Sequence, residues 1–258
     1  MIRRSIQALV GIVLVIGLVF KFMHYPGAAA LLGSAILGMA VLLLDRIIQH
    51  RAPKLMSRHN ISCMLGVIYL LAVAFKVFHL PGAGIMLMTS MVGLTIVLIQ
   101  FAFSIRSSKY AILPALYSIT LLFALFRIMR WPEIPHVLYG SYFIFAIALP
   151  FLLFSRAQEL KKTHGPLSKN FLMLGLLTLV LLALEIKLRV YPEALGTPIY
   201  QLRIVQTALV SAIILSAQKT IQAGPAVDKK TYDYQILRFI QGAYLILLVM
   251  LILVARNH

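Results

Sequence analysis

The stretch FKVFHLPGA, Phe75 to Ala83, closes one apolar run and opens the next, and its layout recurs along the chain. Phe20 to Ala28 reads FKFMHYPGA, Phe126 to Glu133 reads FRIMRWPE, and Ile186 to Ala194 reads IKLRVYPEA. Lys21, Lys76, Arg127 and Lys187 each stand five residues ahead of Pro26, Pro81, Pro132 and Pro192. Successive cations are 55, 51 and 60 residues apart, so the chain is built from four like units.

Each unit is a pair of apolar runs around a corner. Runs of the length that crosses a hydrocarbon core of about 30 Å lie at 5–23, 27–44, 61–78, 83–103, 110–129, 136–154, 171–188, 197–216 and 236–255. With 61% hydrophobic and 12% charged residues and a mean hydropathy of +0.95, the composition lies far outside that of soluble domains. The expected fold is an all-α integral membrane protein of about nine transmembrane helices: four parallel-repeat helical hairpins plus a C-terminal helix. The repeats fall at approximately 1–55, 56–108, 109–168 and 169–222, with the extra helix at 236–255, in a single polytopic domain over 1–258.

The net charge of +17 is spread over helix ends and loops, which speaks against a nucleic-acid partner. Arg3 and Arg4 before an apolar run, followed by Ala28 to Ala30, imitate a secretory leader. The same hairpin recurs where no leader can stand, so the first run is read as a span. The single cysteine, Cys63, forms no intrachain disulfide and says nothing of redox compartment.

An even number of crossings separates successive corners, so all four fall on one side of the membrane. Sixteen Lys and Arg lie near the N-terminus and in the long connections, against eight on the corner side. The positive-inside rule then puts the N-terminus and long connections in the cytoplasm. The corners and the C-terminus are expected in the periplasm of a bacterial inner-membrane protein.

The corner motif has a structural reading. A cation in the last turn of a helix meets the negative end of its dipole, and its long stem reaches the headgroups. Tyr25, Trp131 and Tyr191 suit the interface. Pro26, Pro81, Pro132 and Pro192 are expected in the first turn of the returning helix, with Gly27 and Gly82 easing the reversal. Small residues on the returning helices, Ala30, Ser34, Gly38, Thr89, Gly93, Ala208, Ala212 and Ser216, are expected at close helix contacts.

It also has a functional reading. Lys21 and His24, like Lys76 and His79, are three apart and would share a helix face. With Arg127, Arg130 and Lys187 they would form a cationic outer rim able to hold a phosphate, a lipid headgroup or an acidic segment of a partner. Two histidines without a third ligand make no metal site. His136 and His258 are not at ligand spacing to them, and His50, His59 and His164 fall in the long connections. The intramembrane acid is Glu185, one turn before Arg189, with which an i, i+4 pair would neutralise it.

The string Phe-Lys-x-x-His-x-Pro-Gly-Ala, at Lys21, His24, Pro26, Gly27 and again at Lys76, His79, Pro81, Gly82, resembles the transmembrane hairpin of the gliding-motility L protein (GldL) family of Bacteroidota. The resemblance implies helical hairpins of the kind that serve a proton-driven motor, which works with the gliding-motility M protein to energise type IX secretion and gliding. The third and fourth repeats keep only the cation, aromatic and proline. The motor family carries a glutamate in its second helix and a large cytoplasmic domain. Here 27–44, 84–103 and 137–154 hold no acid at mid-depth, and the connections between spans are too short to hold such a domain. The hairpin and a docking surface carry over; the motor activity does not.

The expected function is a non-catalytic scaffold or accessory subunit of an inner-membrane complex, with membrane lipids and other membrane subunits as partners and no cofactor. The alternative is a small anion or lipid transporter or channel entered through the cationic rim. Its weakness is the scarcity of mid-depth polar residues beyond Ser, Thr, Gln100, Gln201 and Gln206. An enzyme would need a nucleophile, an acid–base pair or a metal cluster, leaving only lipid processing by His24 and His79.

Overall fold

A computed structural model describes residues 2–49, 58–128, 134–162, 165–190, 199–222 and 232–254. Among these, nine α-helices follow in order: α1 (Ile2–Phe22), α2 (Ala28–Gln49), α3 (Arg58–Val77), α4 (Ala83–Ser104), α5 (Ile112–Ile128), α6 (Ile134–Leu160), α7 (Gly165–Val190), α8 (Ile199–Gln222) and α9 (Tyr232–Val254). A short 3-10 turn, Lys109–Ala111, precedes α5, and the described residues contain no strand. All nine helices are long and apolar enough to span a bilayer, which makes this a multi-pass membrane protein. Several run past their apolar stretch into polar flanks, α6 through Arg156 and Glu159 and α8 to Gln222, because helical hydrogen bonding does not stop where hydrophobicity does. Pro150 is accommodated inside α6.

Each helix from α1 to α8 packs against the next, and α1 packs against α8, so the four hairpins close into a ring. The ninth helix is not an appendage. It runs through the middle, reaching α1 and α3 directly, α4 and α6 through Phe239 against Phe101 and Phe145, and α5 through Tyr117 Oη donating to the Ala243 carbonyl at 2.8 Å. Gln241 Nε2 donates to Gln218 Oε1 on α8 at 2.8 Å. Ile236, Leu237, Ile240, Val249 and Ile252 of α9 are buried. Among the described residues of α9 only Tyr232, at its start, is a large exposed apolar side chain, whereas the surrounding helices carry many, Val41, Ile85, Phe151 and Leu215 among them, as expected of a lipid-facing surface.

Glycines set several of the closest approaches. A Cβ at Gly17 would lie 3.0 Å from the Leu32 side chain and 3.2 Å from its backbone nitrogen, so α1 and α2 touch nearly backbone to backbone there. Gly38 and Gly93 sit against Val10 and Leu65, as the sequence pattern anticipates. Ala30, Ser34, Thr89 and Ala208 do not make such contacts; they are exposed on the outer surface, while Ala212 and Ser216 are half-buried. A spacing of four residues selects a face but does not say whether that face meets a helix or lipid.

Candidate functional site

The first two corners share one geometry, and it explains the motif residue by residue. At the end of α1, His24 N–H donates to the Lys21 carbonyl at 3.2 Å and Tyr25 N–H to the Phe20 carbonyl at 2.8 Å. At the end of α3, His79 donates to Lys76 at 3.4 Å and Leu80 to Phe75 at 2.8 Å. This pair of bonds is the Schellman ending, which needs a left-handed residue just past the helix. His24 and His79 supply it, with φ of 56° and 59°, and histidine enters that region more readily than most side chains. The accompanying apolar contact is Phe20 on Tyr25, edge to face at 5.5 Å between ring centroids.

Two expectations change here. His24 and His79 do not share a helix face with Lys21 and Lys76, because the left-handed step turns each out of the helical register. Pro26 and Pro81 do not open the returning helices. They precede Gly27 and Gly82, whose φ of 85° and 86° fit the third position of a type II turn, and helical bonding begins with Leu31 and Met86 donating to those glycine carbonyls. His24, Pro26, Gly27, His79, Pro81 and Gly82 are all exposed.

The other corners are built from different residues. At the position of the left-handed histidine stand Arg130 and Val190, and at that of the glycine Glu133 and Glu193. A β-branched valine is a poor left-handed residue, and α7 stays helical through Val190, past the point where α1 and α3 end. Arg130, Pro132 and Pro192 lie outside the described residues, as do His50, His164 and His258 and the side chains of His59, His136 and Arg189.

The cations of the motif have diverging environments. Lys21 Nζ donates to the Ile252 carbonyl, so it caps the C-terminal end of the central helix. Arg127 donates to Tyr139 Oη and stacks over that ring at 5.0 Å. Lys76 is half-buried and Lys187 exposed. Across the described residues no group of three metal-ligating side chains comes together.

Glu185 is buried, and its Oε1 accepts from Gln206 Nε2 on α8, a partner that helical spacing within α7 could not reveal. Gln206 Oε1 in turn accepts from Arg203 Nη1 at 2.8 Å. A chain of polar groups thus leads inward from the start of α8 to Glu185 on α7.

The structure also reveals a polar cleft on the opposite end of the bundle. Its lining comes from the α4–α5 connection, the end of α6 and the start of α9: Ser107 to Tyr110, Arg156, Glu159, Tyr232 and Asp233. Arg156 holds Asp233 with two parallel bonds of 2.9 and 2.7 Å and reaches Glu159 at 2.8 Å. Lys109 binds the other Glu159 oxygen, and Ser155 at 2.9 Å. The signal for this cluster was the scarcity of acids: with only seven in the chain, Glu159 and Asp233 at helix ends had few roles besides pairing.

Comparison with protein-family models, curated proteins and solved structures finds no match to this chain.

Proposed function

We propose that this protein is a non-catalytic scaffold or accessory subunit of a bacterial inner-membrane complex, and that its first two corners form the surface offered to a partner. The observation that carries the reading is the pair of rigid, exposed corners. Each is fixed by two backbone bonds and a glycine turn, and each exposes a histidine beside apolar side chains: Met23 and Tyr25 on one, Phe78 and Leu80 on the other. They belong to hairpins that adjoin through α2 and α3. Preorganised backbone with exposed aromatic and aliphatic groups limits the ordering cost of association. The centre of the ring is filled by α9, which favours a solid module over a conduit.

The positive-inside count supports an orientation with the corners facing the periplasm and the long connections in the cytoplasm. The motif resemblance alone supports association with gliding or type IX secretion machinery in Bacteroidota. A photocrosslinking residue at His24 or His79 in native membranes is expected to capture one discrete membrane protein. Capture no greater than from a lipid-facing control at Ile85 would count against the reading.

The alternative, an anion or lipid transporter, draws on one observation, the inward chain of Arg203, Gln206 and Glu185. It predicts flux in liposomes that is lost on charge reversal at Lys21 and Lys76, whereas a scaffold shows no flux to lose.

A further inference from the structure

The cleft between the α4–α5 connection, α6 and α9 has a volume of about 490 Å³, within the size range of small-molecule sites. It is formed where α4 and α6 end and α5 and α9 begin, which sets it level with lipid headgroups. Two cations, Lys109 and Arg156, face two carboxylates, Glu159 and Asp233, so its net charge is zero.

Hydrogen-bond capacity in the cleft is not exhausted. Lys109 uses two of its three N–H groups, on Ser155 and Glu159. Arg156 uses three of five. The Ser108 hydroxyl oxygen accepts from Tyr110 N–H at 3.3 Å, which leaves its own O–H to give. The Tyr110 side chain is 5% exposed, yet its hydroxyl has no hydrogen-bond partner among the described residues. Tyr110 lines the cleft together with Arg156, Glu159 and Asp233. A buried hydroxyl without a partner is unfavourable, and an occupant that accepts from it removes that penalty.

We propose that this cleft seats a zwitterionic aminophospholipid headgroup, its phosphate on Tyr110, Ser108 and the spare N–H groups of Lys109 and Arg156, its primary ammonium on Glu159 and Asp233. Free donors suit phosphate oxygens, and the remaining lone pairs of two carboxylates suit an ammonium. A purely anionic headgroup would leave both carboxylates facing negative charge, and a quaternary ammonium brings no N–H for them to accept.

The test is native mass spectrometry of the intact protein in detergent, titrated with short-chain phosphatidylethanolamine, phosphatidylglycerol or phosphatidylcholine. Free phosphoethanolamine and inorganic phosphate serve as competitors. Phosphatidylethanolamine is expected to bind most tightly, and phosphoethanolamine, but not phosphate, to displace it. Tyr110→Phe removes only a hydroxyl without a protein partner, so it should fold as wild type while weakening binding about tenfold. Tyr69→Phe deletes another buried hydroxyl without a partner, outside the cleft lining, and should change nothing. Equal binding of all three lipids, displacement by phosphate alone, or Y110F binding like wild type would overturn the assignment.

Discussion

Replacing His24 and His79 by glycine separates what their backbones do from what their imidazoles do. Both are held at φ near 60°, where the Cβ of an L-residue crowds the next carbonyl oxygen at a cost of about 1–2 kcal/mol. Glycine avoids that crowding but returns roughly 0.5–1 kcal/mol through its freer unfolded chain. Each substitution should therefore leave stability unchanged or raise it by up to about 1.5 kcal/mol. The two corners lie on separate hairpins, so the double variant should gain about 0–3 kcal/mol in sum. Valine at the same positions should lose about 1–2 kcal/mol each, since a β-branched side chain is a poor left-handed residue. The assay is sodium dodecyl sulfate titration in mixed micelles, followed by circular dichroism. Glycine variants clearly less stable than wild type, or valine variants equal to it, would refute the reasoning and point to side-chain contacts instead. The stable glycine variants then serve the crosslinking test, because they remove the imidazoles without disturbing the corner.

Three other perturbations follow from specific contacts. Gly17→Leu should destabilise by about 2–3 kcal/mol, since even a Cβ there meets Leu32 at 3.0 Å; Gly11→Leu, with nothing within 4 Å, should be neutral in the same titration. A double-mutant cycle of Arg156→Gln and Asp233→Asn should give a coupling of about 1–3 kcal/mol. That range lies below the figure for a fully buried pair because the Arg156 side chain is 28% exposed. Glu185→Leu should cost about 1–3 kcal/mol by leaving the buried Gln206 amide without its acceptor, and adding Gln206→Leu should recover most of that loss in unfolding measurements.

The spans and the first two corners could be read from the sequence because each has a local signature: an apolar run, and a cation five residues before proline. The central place of α9 could not. A membrane helix is apolar toward lipid and toward its neighbours alike, so FIQGAYLILLVMLILVA looks the same outside the ring or within it. The left-handed role of His24 and His79 was hidden for a different reason. A spacing of three residues signals a shared face only while the helix continues, and this one ends between the lysine and the histidine. The Arg156–Asp233 and Glu185–Gln206 pairs join different helices, and no periodicity within one helix points across to another.

The account rests on an eight-helix ring closed around α9, and brominated-lipid quenching tests that most directly. In a Trp131→Phe background, which removes the only native tryptophan, a tryptophan is placed at Phe239 of α9, 8% exposed, or at Phe151 of α6, 73% exposed. The ring predicts strong quenching at 151 and almost none at 239. Comparable quenching at both positions would put α9 in contact with lipid and contradict the architecture.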